Sequence, residues 1–124
     1  WEATGAEVLE MSVEEHDRIL AASSHLPHML AYMLVDMLVR RDDHRAVFAA
    51  SAGGLRDVTR IAASDPVMWR DICLANREAL LAVLAQYRDE LGTLMAAIER
   101  GDGKWLEDTF ARAKHSRDAL DKKS

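Results

Sequence analysis

The chain has 124 residues, of which 49% are hydrophobic and 30% charged, and its formal net charge is -5. This length fits one domain with one hydrophobic core, the composition excludes a disordered chain, and the acidic balance argues against a nucleic-acid-binding surface. The single cysteine, Cys73, leaves no internal disulfide, and no apolar run approaches a membrane span of about 20 residues, so we expect a cytoplasmic chain without membrane partners.

The first predicted helix begins near Val13. Ser12 and Glu15 have the spacing of a capping box, in which the serine oxygen accepts the backbone N–H three residues on. Apolar side chains then recur at three- and four-residue intervals, the period of an amphipathic helix. Pro27 interrupts this pattern because it has no N–H and crowds the carbonyl four residues back, which predicts a kink or a break at residues 23–25.

A glycine pair and then a long helix occupy the middle of the chain. Gly53 and Gly54 disfavour an uninterrupted helix and allow close backbone approach or a positive φ. Asp65 and Pro66 form a helix start, with a capping carboxylate and a proline at the first position. From there the apolar spacing predicts one helix of about thirty-odd residues that ends at "GDG" (101–103), before a last helix. No segment reads as a strand, so we predict an all-α helical bundle with one long central helix.

Two histidines, His25 and His28, lie three positions apart in "SHLPHMLAYML" (24–34) and raise the question of a metal site. Such a site needs a third and usually a fourth ligand, and the Glu-x-x-His pair of di-iron bundles is absent at all five histidines. Cys73 has no visible base, and neither glycine motif matches GxGxxG or a P-loop. We therefore expect no metal site, no nucleophile and no cofactor cradle in this chain.

Two arginines four residues apart, Arg56 and Arg60, form a cationic cluster with Asp57 between them and Trp69 downstream. An arginine presents a planar fork that suits a carboxylate or a phosphate, and the glycine pair would let a ligand come close. Both arginines can equally pair with surface carboxylates, which are plentiful in this acidic chain. The residues alone therefore indicate a helical domain with a candidate anion site, and they leave the reaction open.

Three segments carry a resemblance to a known family: "HDRILAASSHLPHMLAYML" (16–34), "GGLRDVTRIAASDPVMWRDICLANREALL" (53–81) and "GDGKWLEDTFARAKHSRD" (101–118). Together they closely resemble the C-terminal domain of prephenate dehydrogenases, including the cyclohexadienyl and arogenate dehydrogenases, over nearly the whole chain. The resemblance implies a dimerisation domain of the 6-phosphogluconate-dehydrogenase C-terminal-like type. It would occupy residues 1–124 as a single domain, with the N-terminal Rossmann domain absent from this chain.

The resemblance also implies an activity in tyrosine biosynthesis. Prephenate would be oxidatively decarboxylated to 4-hydroxyphenylpyruvate, or arogenate to tyrosine, with NAD or NADP as the cofactor. The missing domain would bind that cofactor and supply the catalytic histidine, so this chain would be inactive alone and would form a homodimer. Its long helix would be the dimer spine, with Asn76 as a polar interruption that fixes the register. The alternative is a stand-alone helical anion-binding or regulatory module without catalysis.

The same motif match implies a set of substrate-binding residues. Arg60 would bind a substrate carboxylate, and His28 and His25 would line the pocket as hydrogen-bond donors. The segment around Gly53 and Asp57, and also Trp69, would approach the active site across the dimer interface, with Asp57 holding an arginine through an ion pair. The full set is Arg60, His28, His25, Gly53, Trp69 and Asp57.

Overall fold

The computed structural model describes residues 11–51 and 53–123, and all regular structure in these ranges is helical, which confirms the all-α prediction. The α-helices are α1 (Val13–Leu20), α2 (Leu26–Val39), α3 (His44–Ala50), α4 (Gly53–Thr59), α5 (Pro66–Ala75), α6 (Arg77–Glu99) and α7 (Gly103–Lys123). A π-helical segment, Ala21–His25, joins α1 to α2, and a 3₁₀ turn, Arg60–Ala63, follows α4. Within the described ranges, no helix combines the length and the apolar character needed to cross a membrane.

Both helix starts predicted from capping residues are confirmed. At α1 the Ser12 hydroxyl accepts the backbone N–H of Glu15 at 3.1 Å. At α5 the Asp65 carboxylate accepts the N–H of Val67 at 3.1 Å, next to the proline at the first helical position. Each cap satisfies a backbone donor that has no partner within its own helix.

The kink or break predicted at residues 23–25 is a π-helical segment. Its hydrogen bonds span five residues, as when the N–H of Leu26 donates to the carbonyl of Ala21. Pro27 has no N–H for the carbonyl four residues back, and the wider spacing of the π turn accommodates that missing donor. The chain therefore stays helical through this point, and only the hydrogen-bond pattern changes.

The single long helix predicted from Asp65 to residues 101–103 is wrong, because α5 and α6 divide this segment. They meet at Asn76, whose backbone leaves the helical region (φ −115°, ψ 44°). The Asn76 side-chain amide donates to the backbone carbonyl of Asp17 at 2.9 Å, a contact inside the chain. Asn76 therefore ends a helix and does not interrupt a continuous spine, and the 23-residue α6 is the long helix of the fold.

The chain divides into two compact units, one extending to Leu84 and the other starting at Ala85, so the boundary lies within α6. In the first unit, α2 packs against α4 and the 3₁₀ turn. The hydroxyl of Tyr32 donates to the carbonyl of Ser64 at 2.6 Å, which ties the end of that turn to α2. The buried apolar side chains described in this unit are Ala21, Ala31, Trp69 and Leu80. The single domain over residues 1–124 stays a prediction.

The second unit contains the end of α6, the turn at "GDG" and α7. Gly101 has a left-handed φ of 69°, and the N–H of Asp102 reaches back to the carbonyl of Ala97 at 2.9 Å, which terminates α6 as predicted. The Asp102 carboxylate then caps α7 by accepting the N–H of Trp105 at 3.0 Å. This bond, together with Arg100, holds the pKa of Asp102 below its usual range.

Candidate functional site

His28 of α2 and Trp69 of α5 stack, with ring centroids 3.8 Å apart and planes 18° from parallel. The Nδ1 atom of His28 lies 2.8 Å from the carbonyl oxygen of Ser24. Because a carbonyl can only accept a hydrogen bond, Nδ1 carries the proton, and Nε2 of the neutral ring is an acceptor. The local helix and the stack together fix the orientation of this imidazole.

His25, at the end of the π-helical segment, is 8% exposed and meets Trp69 edge to face, with centroids 5.8 Å apart. Burial and the nearby His28 lower the pKa of His25 from its ordinary value of 6.5, while Asp17 acts in the opposite direction. The native chain therefore binds fewer protons at this ring than the unfolded chain does. Consequently, the contribution of His25 to stability falls as the pH drops below about 6.5.

Trp69 is 6% exposed. Its indole N–H is buried and has no hydrogen-bond partner in the described part of the chain. Leaving a buried donor unpaired costs about 1–3 kcal/mol, so native proteins usually satisfy such groups with protein, water or a ligand. We refer to His25, His28 and Trp69 as the aromatic cluster. It contains two imidazoles and one donor that has no partner within its own unit.

Arg60 is exposed and begins the 3₁₀ turn that packs against α2. The hydrogen bond between Tyr32 and Ser64 fixes the end of this turn to the helix that also carries His28. The Arg60 guanidinium makes no ion pair or hydrogen bond with any residue in the described ranges. It is therefore a cation on an anchored backbone, with its hydrogen-bond donors available to an anion.

Gly53 and Asp57 lie on α4, and both are exposed. A Cβ at Gly53 would meet no atom within 4 Å, so the space beside this residue is open to close approach from outside the unit. The φ of Gly53 is not positive, so its backbone does not require a glycine. Asp57 forms no ion pair with an arginine in the part of the chain that the structure describes. The ion pair expected for Asp57 near the dimer interface stays a prediction.

Of the predicted site residues, the structure brings His25, His28 and Trp69 into contact within one chain, so Trp69 reaches the two histidines without the dimer interface that was expected to lie between them. Within the described ranges, the three others lie on segment 53–60 and make no hydrogen bond or ring contact with the cluster. The residue missed as part of the site is Asn76, whose amide nitrogen lies 3.3 Å from Nδ1 of His25. An asparagine inside a predicted helix is a poor helix former, and that was the available signal.

The chemistry that these groups offer is binding. In the described ranges no group of three or more His, Cys, Asp or Glu side chains could hold a metal ion. The half-buried Cys73 thiol lies 3.2 Å from the sulfur of Met29. The aromatic cluster and Arg60 instead supply ring surfaces, a neutral donor and a cation, which suit an organic acid that carries a ring.

Comparison with known proteins places these residues in a family. The sequence model of the prephenate dehydrogenase dimerization domain matches residues 12–112. The chain belongs to this family. A cyclohexadienyl dehydrogenase of Zymomonas mobilis is 42% identical over 122 residues, which cover 97% of this chain and 42% of that protein. The prephenate dehydrogenase of Bacillus subtilis is 39% identical over 118 residues, covering 94% of this chain and 32% of that protein.

Solved structures of the prephenate dehydrogenase family share the fold. The Aquifex aeolicus prephenate dehydrogenase, in complex with hydroxyphenyl propionate and NAD+, matches with a TM-score of 0.82 at 37% identity, over 89% of this chain and 39% of that chain. An arogenate dehydrogenase of Synechocystis matches with a TM-score of 0.82 at 25% identity, over 89% of this chain and 41% of that chain. The chain spans less than half the length of these relatives and corresponds to the C-terminal dimerization domain of this oxidoreductase family.

Proposed function

We propose that this chain is the substrate-binding and dimerisation part of a dehydrogenase that oxidatively decarboxylates prephenate or arogenate with NAD or NADP. The observation that carries the proposal is the aromatic cluster, in which two imidazoles contact a buried indole whose N–H has no partner in the described ranges. The relatives support the choice of substrate, since they are a cyclohexadienyl dehydrogenase, prephenate dehydrogenases and an arogenate dehydrogenase.

The chemistry of prephenate explains the need for a single strong cation. Prephenate carries two carboxylates and a ring hydroxyl, and one of the carboxylates leaves as carbon dioxide. A site must therefore bind the retained carboxylate without neutralising the departing one. Arg60, which has no partner among the described residues, offers a permanently charged bidentate contact for the retained group.

The aromatic cluster would bind the remaining polar groups of the substrate. His28 uses Nδ1–H for the Ser24 carbonyl, so its neutral ring accepts a hydrogen bond at Nε2, as from a hydroxyl, and donates there only when the ring is charged. This refines the expectation that His28 is simply a donor. The N–H of Trp69, a neutral donor, is buried beside these two rings and has no partner in the described ranges.

The hydride acceptor in this reaction is the nicotinamide cofactor. We propose that a Rossmann domain outside this chain binds the cofactor and supplies the catalytic histidine. The residues assigned here bind and orient the substrate, and none of them is assigned to hydride or proton transfer. The described ranges of this chain would thus set the position of the substrate relative to a cofactor held elsewhere.

The proposal includes a homodimer. In the second unit, several large apolar side chains are exposed, including Leu91 (43%), Met95 (68%), Ile98 (60%) and Phe110 (57%). A group of exposed apolar side chains on one pair of helices is typical of a protein–protein interface. This exposure, together with the dimerization-domain match, supports association through the second unit.

The test is an assay of the natural protein that carries this chain, with prephenate or arogenate and with NAD+ or NADP+. We expect at least one of these combinations to give substrate-dependent cofactor reduction with release of carbon dioxide, from a protein that light scattering shows to be a dimer. A folded protein that reduces neither cofactor with either substrate would contradict the proposed activity. Substrate binding without turnover would favour the regulatory module instead.

A further inference from the structure

Asn76 connects α1 to the aromatic cluster through its side-chain amide. The amide nitrogen lies 2.9 Å from the backbone carbonyl oxygen of Asp17 and 3.3 Å from Nδ1 of His25. The two hydrogens of this nitrogen allow it to donate to both atoms at once. The non-helical backbone of Asn76, between α5 and α6, is what presents the amide to these two partners.

These two contacts determine which nitrogen of His25 carries the proton. The backbone carbonyl of Asp17 can only accept a hydrogen bond, so the nitrogen of the Asn76 amide must face it. If the nitrogen and the oxygen of this amide exchanged places, two oxygens would face each other. The same nitrogen donates to Nδ1 of His25, which must therefore be unprotonated. A proton on Nδ1 would place two donors face to face. The neutral ring consequently carries its proton on Nε2.

The surroundings of His25 act in the same direction. Within the described ranges, Asp17 of α1 and His28 of α2 are the titratable groups that act on this ring, the carboxylate favouring its charged form and His28 disfavouring it. Burial has the largest effect and also lowers the pKa of His25. The other contacts of this ring are with two neutral side chains, Trp69 of α5 and Asn76 between α5 and α6. The geometry and the environment thus agree on an uncharged ring.

We propose that Asn76 is a positioning residue that holds His25 as a neutral imidazole protonated on Nε2. The two imidazoles of the aromatic cluster then have opposite hydrogen-bonding character: Nε2 of His25 donates, and Nε2 of neutral His28 accepts because its Nδ1–H is bound to Ser24. Such a pair suits a ligand that offers both an acceptor oxygen and a hydroxyl. This last consequence rests on the proposed function, whereas the position of the proton does not.

Long-range 15N–1H correlation spectra of the natural protein, labelled at the histidine nitrogens, locate the proton directly. The variant His25→Gln identifies the His25 signal by its loss. We expect the parent protein to show Nε2 protonated and Nδ1 unprotonated. In Asn76→Asp, the new carboxylate accepts from Nδ1–H of the charged ring, so the proton affinity of His25 should rise by about tenfold or more.

The matched control is Gln86→Glu, which makes the same amide-to-carboxylate change at an exposed position of α6 in the second unit. It should leave the His25 signal and its titration unchanged. A parent spectrum with the proton on Nδ1 would overturn the proposal, and this measurement needs no variant to fold. A folded Asn76→Asp protein whose His25 titrates as in the parent would overturn it as well.

Turnover of the same samples separates this proposal from the proposed function. An inactive parent with the His25 proton on Nε2 contradicts the proposed function alone, and an active parent with the proton on Nδ1 contradicts the role of Asn76 alone. In an active protein, the acid limb of the pH profile of kcat/KM should move to higher pH in Asn76→Asp, because His25 becomes charged at a higher pH. A merely structural role for Asn76 would lower activity without moving that limb.

Discussion

In the natural protein that carries this chain, Arg60→Ala should lower kcat/KM for the preferred substrate by about 10- to 150-fold. This range corresponds to the roughly 1.5–3 kcal/mol that a hydrogen bond between a charged donor and a carboxylate contributes. The loss should appear mainly in KM, because the retained carboxylate keeps its charge throughout the reaction and Arg60 would bind the ground state and the transition state alike. Steady-state kinetics at saturating cofactor measure the effect.

Two further variants interpret that result. Arg60→Lys keeps the positive charge without the planar fork, so it should lose less activity than the alanine variant and still fall below the parent. Arg45→Ala removes an exposed arginine from α3, outside the proposed site, and should leave kcat/KM unchanged. Equal effects of Arg60→Ala and Arg45→Ala would show that Arg60 does not bind the substrate.

Trp69→Ala should lower the free energy of opening of α2 and α5, as measured by hydrogen exchange of their backbone amides, by about 3–5 kcal/mol. This is the usual cost of truncating a buried tryptophan. The indole is 6% exposed and contacts both His25 and His28, so its removal leaves a cavity between the two helices. Hydrogen exchange in the natural protein measures this loss locally. It does not require two-state unfolding, which a protein of more than one domain rarely shows.

The controls for Trp69→Ala separate ring packing from the indole N–H. Trp69→Phe should lose less stability, because it keeps an aromatic ring and removes a donor that has no partner in the described ranges. Arg70→Ala changes the next residue, whose side chain is 63% exposed, and should stay within about 0.5 kcal/mol of the parent. If Trp69→Ala matched Arg70→Ala, the indole would not be what holds α2 and α5 together.

The helix boundaries that local chemistry decides were predictable from the sequence. The side chains of Ser12 and Asp65 cap the helices that they precede, and Gly101 ends α6 with a left-handed backbone, so each signal lies within a few residues of its effect. The break at Asn76 was not predictable in this way. Its partners, Asp17 and His25, are distant in sequence, and the three- and four-residue spacing of the pattern continues across this single polar residue.

The candidate site also depends on contacts between residues that are distant in sequence, which limits how much of it could be predicted. Spacing alone placed His25 and His28 near each other and argued against a metal, but it could not show that both rings contact Trp69 from another helix. That contact depends on the π-helical segment, which sets the direction of the histidines, and on the packing of α5. The proton positions on the two rings depend on the Ser24 carbonyl and the Asn76 amide, which only the folded structure brings to them.

The most direct test of the substrate site is a crystal structure of the natural protein with hydroxyphenyl propionate and NAD+, the two molecules bound in the Aquifex aeolicus relative. We expect the carboxylate of this molecule to lie about 3 Å from the guanidinium of Arg60, with its ring against His28 and Trp69. A complex in which it binds away from Arg60 and from the aromatic cluster would contradict the assignment of this chain as the substrate-binding part of the enzyme.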